Sequence, residues 1–100
     1  MQSYYAAEFE REMGCTEREW LSWLPRAVHG HALALGSGTA TVTIGDGRLR
    51  LSWQVLPPRQ IALARLPRLA AQFAFDASVG EAARQAFMRS FDLYMQRGGG

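Results

Sequence analysis

Hydrophobic and polar residues change rhythm twice along this chain. Tyr5, Phe9 and Met13 recur at every fourth position among Glu8, Glu10, Arg11 and Glu12. That spacing predicts an amphipathic helix over Tyr4–Met13, with Ser3 as its N-cap and Gly14 as its stop. "TERE" then opens a second helix, in which Thr16 caps and Glu19 reaches back to complete a capping box. Trp20, Leu21, Trp23 and Leu24 follow before Pro25 discourages further turns. A short helix with two tryptophans is expected to lie across something flat.

From His29 to Asp76 the period becomes two. In "IGDGR", Asp46-Gly47 is the preferred pair for a two-residue type I′ hairpin. Counting outward sets Ile44 opposite Leu49, Val42 opposite Leu51 and Ala40 opposite Trp53, with Thr43 facing Arg50 and Thr41 facing Ser52. Apolar meets apolar and polar meets polar, as cross-strand pairing requires. Ser37-Gly38 as a second turn sets Leu35 opposite Ala40, Leu33 opposite Val42 and His31 opposite Ile44. Two more strands are expected at Gln60–Leu66 and Leu69–Asp76, in one of two registers. A two-residue turn at Pro67-Arg68 places Ala62 opposite Phe73 and Ala64 opposite Ala71. A three-residue loop, Leu66–Arg68, instead gathers Ile61, Leu63, Leu69, Ala71, Phe73 and Phe75 on one face, with Arg65 snorkelling at its margin. The second collects more large apolar groups and is preferred.

"SVGE" repeats the capping-box pattern, with Ser78 as cap and Glu81 at N3. A final helix over about Val79–Gln96 carries Ala83, Phe87, Phe91, Tyr94 and Met95 on one stripe, closed by Arg97 and Gly98. The sum is an α+β fold: two N-terminal helices, an antiparallel meander of about five strands, and a long C-terminal helix packed on the sheet.

One hundred residues, 48% hydrophobic and 20% charged, suit a single domain spanning residues 1–100 that buries roughly 60–70% of its unfolded surface. One cysteine, Cys15, forms no internal disulfide and suits a reducing compartment. No apolar run nears the roughly 20 residues that span a bilayer. The N-terminus carries acids where a secretory signal carries bases. The expectation is a cytoplasmic protein with no membrane partner. All eleven basic residues are arginine, and they are unevenly placed. Residues 1–23 hold five glutamates against two arginines, while residues 26–68 hold six arginines against Asp46 alone.

The candidate chemistry is sparse. His29 and His31, two apart on a strand, would project from one face and share a metal. The further ligands available, Cys15, Asp76 and Glu81, show no spacing signature, so neither metal nor cofactor is expected. Serines 22, 37, 52 and 78 sit in no nucleophile pattern, and the glycine-rich stretches are explained by turns. Arg48 and Arg50 share a face with threonines, Arg59 precedes a strand and Arg68 lies in a turn. These four form the alternative anion site, but the polar face lacks the aromatics that stack on bases, so nucleic acid is not the expected partner. Trp20, Trp23, His31, Trp53, Phe87 and Phe91 supply more bulk than one sheet–helix layer needs. They are the candidate ligand-binding set for a small molecule or a protein partner, in a non-catalytic module compatible with homo-oligomers. A small enzyme using His29 and His31 is the third reading.

The layout is similar to helix-grip ligand-binding folds, in which a curved sheet wraps a long C-terminal helix. "FMRSFDLYMQRGGG", preceded by "PPRQIALARLPRL", resembles small uncharacterised proteins of proteobacteria. That resemblance covers the C-terminal half and implies no activity.

Overall fold

A computed structural model describes residues 4–96. The element order is β1 (Glu8–Met13), α1 (Glu17–Ala27), β2 (Leu33–Gly36), β3 (Thr39–Ile44), β4 (Gly47–Ile61), β5 (Ala64–Phe75) and α2 (Glu81–Tyr94). The strands make one antiparallel sheet in the order β1-β5-β4-β3-β2. The protein is α+β with a single N-terminal helix: the first expected helix is a strand. Its spacing of four fits period two as well as 3.6, and the glutamates decide between them. Glu8, Glu10 and Glu12 alternate outward while Phe9, Arg11 and Met13 turn inward, an alternation no helix gives. A glutamate row on an edge strand also discourages unwanted pairing. Ser3, Arg97 and Gly98, the caps expected at the two ends, lie outside the described residues.

The capping box of α1 forms as expected. Thr16 Oγ1 accepts from Glu19 N at 3.1 Å, and Glu19 Oε1 accepts from Thr16 N at 2.9 Å. Pro25 is inside the helix, which runs on to Ala27. The Ser37-Gly38 register holds, with Leu33 opposite Val42 and Leu35 opposite Ala40. The next turn is Gly45-Asp46 rather than Asp46-Gly47. Gly45 takes φ 60°, as the first central residue of a type II′ turn requires, and the ladder becomes Ile44↔Gly47, Val42↔Leu49 and Ala40↔Leu51. A slip of two residues preserves side-chain parity, so the face assignment survives.

The larger correction concerns 60–76. Neither expected register occurs, because the strand does not break at Pro57-Pro58 or at Pro67. β4 and β5 form one long hairpin that turns at Ala62-Leu63, with a bulge between Leu56 and Arg59. β3 ends opposite Ser52 and β1 ends opposite Leu69. Beyond those rungs each hairpin strand has a free edge, where proline removes no ladder bond. The turn contains no glycine, asparagine or aspartate; Ala62 itself takes φ 53°. At the other end Ser78 does not cap α2. Gly80 is the N-cap, without a side-chain bond, and Ser78 N donates to Asp76 Oδ1 at 3.1 Å.

The core lies between one sheet face and both helices. Trp20 of α1 is fully buried and meets Trp53 of β4 and Phe91 of α2 edge-on, at 5.7 and 6.2 Å. Phe91 in turn meets Phe73 at 5.5 Å. The N-terminal segment is tied to α2 by polar groups. Asp92, buried on α2, accepts from Tyr5 Oη at 2.6 Å and from Arg11 Nη1 at 2.7 Å, while Gln85 bonds both backbone atoms of Tyr5. Burial, then the bond to Asp92, pushes the Tyr5 phenol up from 10.0 to about 12. The folded state therefore holds this proton more tightly than the unfolded chain. Its contribution to stability is complete below pH 10 and is lost as pH rises from 10 to about 12. Chemical denaturation across that window is expected to show a steeper loss for the wild type than for Tyr5→Phe; equal slopes would remove Tyr5 as the cause.

Candidate functional site

The helix that ends at Ala27 leaves its last carbonyls to be satisfied, and the chain reverses to do so. Val28 N donates to Leu24 O, His29 N donates to Arg26 O at 3.1 Å, and His31 N donates to Val28 O at 3.2 Å. His29 occupies the left-handed region with φ 51°, and Gly30 follows at φ 83°. This is the C′ position, where glycine is the usual residue. A histidine there carries backbone strain of order 1–3 kcal/mol, and such strain concentrates at working sites.

The reversal lays both histidines against α2. A carbonyl only accepts, so His29 Nε2 donates to Ser90 O, at 3.2 Å. The half-buried His31 ring tilts against Phe87 with centroids 5.6 Å apart. Ile44 at the end of β3 closes the sheet side, and Ala83 and Ala86 form the helix side. Together these residues line a groove of about 280 Å³ at the mouth of the sheet–helix layer. The "HGH" pair is therefore not a strand pair, as its spacing suggested, although both rings do reach one site.

Of the expected ligand-binding set, His31 and Phe87 line this groove. Trp20 meets both Trp53 and Phe91 inside the core, and Trp23 packs half-buried against it. The indole Nε1 of Trp53 donates to Glu17 Oε2 at 2.8 Å, whereas that of Trp20 is buried and has no hydrogen-bond partner among the described residues. Sequence reasoning missed Ser90, Ala86 and Ile44 as lining. Ala83, read as part of the core stripe, is exposed on the groove wall.

The four arginines do not converge. Arg48 and Arg50 stand on the open sheet face opposite Thr43 and Thr41. Arg59 and Arg68 grip one carboxylate, that of Glu12, at 3.2 and 3.0 Å. Arg50 pairs at Ala74 and Arg68 lies six residues back along β5, roughly 20 Å at strand rise. Among the described residues no group of three or more His, Cys, Asp or Glu is placed to hold a metal ion. Asp76 is occupied with the backbone of Arg48 and Ser78. Cys15 is buried, and burial, reinforced by Glu19, pushes its thiol up to about 11, which disfavours the reactive thiolate. Among the described residues no helix is long and apolar enough to cross a membrane.

No protein-family model and no curated protein matches the chain.

Proposed function

We propose that this protein is a small non-catalytic binding module, working in a reducing cytoplasm, whose ligand enters the groove between the His29–His31 loop and α2. The observation that carries this reading is the groove itself. A histidine held at φ 51° and a second histidine tilted against Phe87 meet an apolar wall of Ile44, Ala83 and Ala86. At about 280 Å³ the groove is near the lower end of ligand sites, which run from roughly 300 to 1,000 Å³. A small molecule fits, with an apolar body for the wall and an acceptor or anionic group for the imidazoles. Binding is favoured over catalysis because the lining beyond the two imidazoles offers only the Ser90 hydroxyl as a polar side chain, and no acid to orient a base.

The probes are benzoate, which carries both features, and benzene-1,2-diol as a neutral comparison. Titrated into labelled protein, benzoate is expected to saturate amide shifts at 29–31, 44 and 83–90 with a dissociation constant of order 1 mM or tighter. Shifts scattered elsewhere, or no saturation by either probe, would overturn the groove as the site.

The loop strain has its own test. His29→Ala loses the bond to Ser90 O yet keeps a side chain at positive φ; His29→Gly loses the same bond but relieves the strain. The glycine variant is expected to be more stable than the alanine variant by about 1 kcal/mol, measured by urea unfolding. Equal stabilities would mean that the left-handed turn costs nothing.

A further inference from the structure

The β4–β5 hairpin outruns the rest of the sheet. Past Ser52 on one side and Leu69 on the other, it continues as a two-stranded arm to its turn at Ala62-Leu63. Trp53 at its base packs on Trp20 of α1 and bonds Glu17, but toward the turn most of the arm's side chains are exposed. Leu63 at the tip is 99% exposed, Val55 58%, Ile61 52% and Leu66 44%. Two strands alone are marginal in water, and large apolar side chains gathered on a projection mark a contact surface.

The register shows where the arm faces. Residues directly opposite in a ladder share a face, so Leu56 goes with Arg68, Arg59 with Leu66, and Ile61 with Ala64. Arg59 and Arg68 both bond Glu12, which belongs to the outward row of β1. This side of the arm is therefore continuous with the open face of the sheet, the one no helix covers. Further along that face the surface reverses character. β5 presents Ala70 and Ala74 as low points of a trough, on either side of Gln72, which bonds Glu10 and Ser52 across it. Glu8 and Glu10 stand along one side, and Ser52 and Gln54 along the other. Two hollows lie in it, of about 230 and 320 Å³.

We infer that two copies of this chain pair through their open faces, the arm of each lying in the trough of the other. The two ends are complementary in size, with leucine and isoleucine on the arm and alanine in the trough. They are complementary in charge too: Arg59 and Arg68 stand on this side of the arm and residues 55–68 hold no acid, while Glu8 and Glu10 line the trough. Arg59 bonds Glu12 within its own chain but remains 54% exposed, and a guanidinium has five N–H donors, so it can serve a second carboxylate. Arg50 stands across from Glu8 at the Ala74 rung, which directs an incoming arginine toward the Glu10–Gln54 stretch. Because arm and trough share one face, a two-fold axis between copies satisfies both contacts at once and closes the assembly.

Sedimentation of the full chain at micromolar to submillimolar concentration tests this. Twice the mass of one chain is expected at physiological salt. Leu63→Ser/Ile61→Ser, on the arm, and Glu8→Arg/Glu10→Arg, in the trough, should each weaken the dimer at least tenfold. Both variants should hold the monomer melting temperature, because the altered side chains are exposed. A mixture separates arm-in-trough from other pairings. The trough variant combined with Arg59→Glu keeps one native contact and makes one of reversed charge, so dimers should return that neither variant forms alone. A wild-type monomer throughout, which would leave the arm to a different protein, overturns the proposal. So does a dimer that neither variant weakens.

Discussion

Asp92→Ala should cost this domain about 3 kcal/mol, the scale for removing one partner of a buried ion pair. The carboxylate serves two donors from the opposite end of the chain: Tyr5 Oη on one oxygen and Arg11 Nη1 on the other, with Nη2 reaching back at 3.4 Å. The guanidinium also lies beside the stacked Phe9–Phe73 pair, 5.3 Å from the Phe9 centroid and 5.2 Å from that of Phe73. Without Asp92 it stays in place as a largely buried charge without its carboxylate, and the Tyr5 hydroxyl loses its acceptor. For a domain of this size, 3 kcal/mol lowers the melting temperature by roughly 12–24 °C. The double variant Arg11→Met/Asp92→Leu is expected to recover most of the loss, because an apolar pair of similar bulk leaves no charge stranded. Calorimetry on the three proteins decides it. A single variant that melts within about 3 °C of wild type would show that the pair contributes nothing.

The second large effect is at Gly47, where a side chain has no room. A Cβ there would fall 2.5 Å from Val79 Cγ2, 2.7 Å from Asp76 Oδ1 and 2.7 Å from Val79 N. The methyl and the carboxylate can shift, but the backbone nitrogen cannot move cheaply. Asp76 is held over this point by Arg48 N at 3.0 Å. Gly47→Val should destabilise by about 3 kcal/mol, at the upper end for overpacking. The cause is crowding rather than backbone angle, since the positive φ of this turn belongs to Gly45, where a Cβ would meet nothing within 4 Å. Asparagine, which tolerates positive φ, separates the two explanations. Gly45→Asn is expected to stay within about 1 kcal/mol of wild type, and Gly47→Asn to fall well below it. The reverse order in urea unfolding would return the hairpin to the Asp46-Gly47 register.

The local rules carried the reading wherever one signal had one meaning. Thr16 and Glu19 sit three apart before an apolar run, and the capping box follows from backbone donors that need acceptors. In β3 and β4, alternation separates Val42, Leu49 and Leu51 from Thr41, Arg48 and Arg50 whatever the turn, because a slip of two leaves the faces unchanged. The inward stripe of Phe87, Phe91 and Met95 was equally plain. The groove was half legible: "HGH" and Phe87 stood out as chemistry, but what joined them was not visible.

Tertiary contacts decided the rest, each time where the local signal was degenerate or missing. Spacing of four at Tyr5, Phe9 and Met13 satisfies helix and strand alike. The choice falls to β5, whose edge offers β1 a ladder, and to Asp92, which receives Arg11 and Tyr5 from across the core. The prolines at 57, 58 and 67 read as breaks because a proline in a central strand forfeits a bond. Only the lengths of β1 and β3 show that these positions have a free edge and forfeit none. The turn at Ala62-Leu63 lacks every residue that advertises positive φ, so it is set by the pairing on either side of it. His29 reaches its left-handed conformation because the end of α1 must reverse there, and it meets Ser90 only once α2 packs. Periodicity told which side chains turn inward; the partners that long-range packing supplies told which elements they belong to.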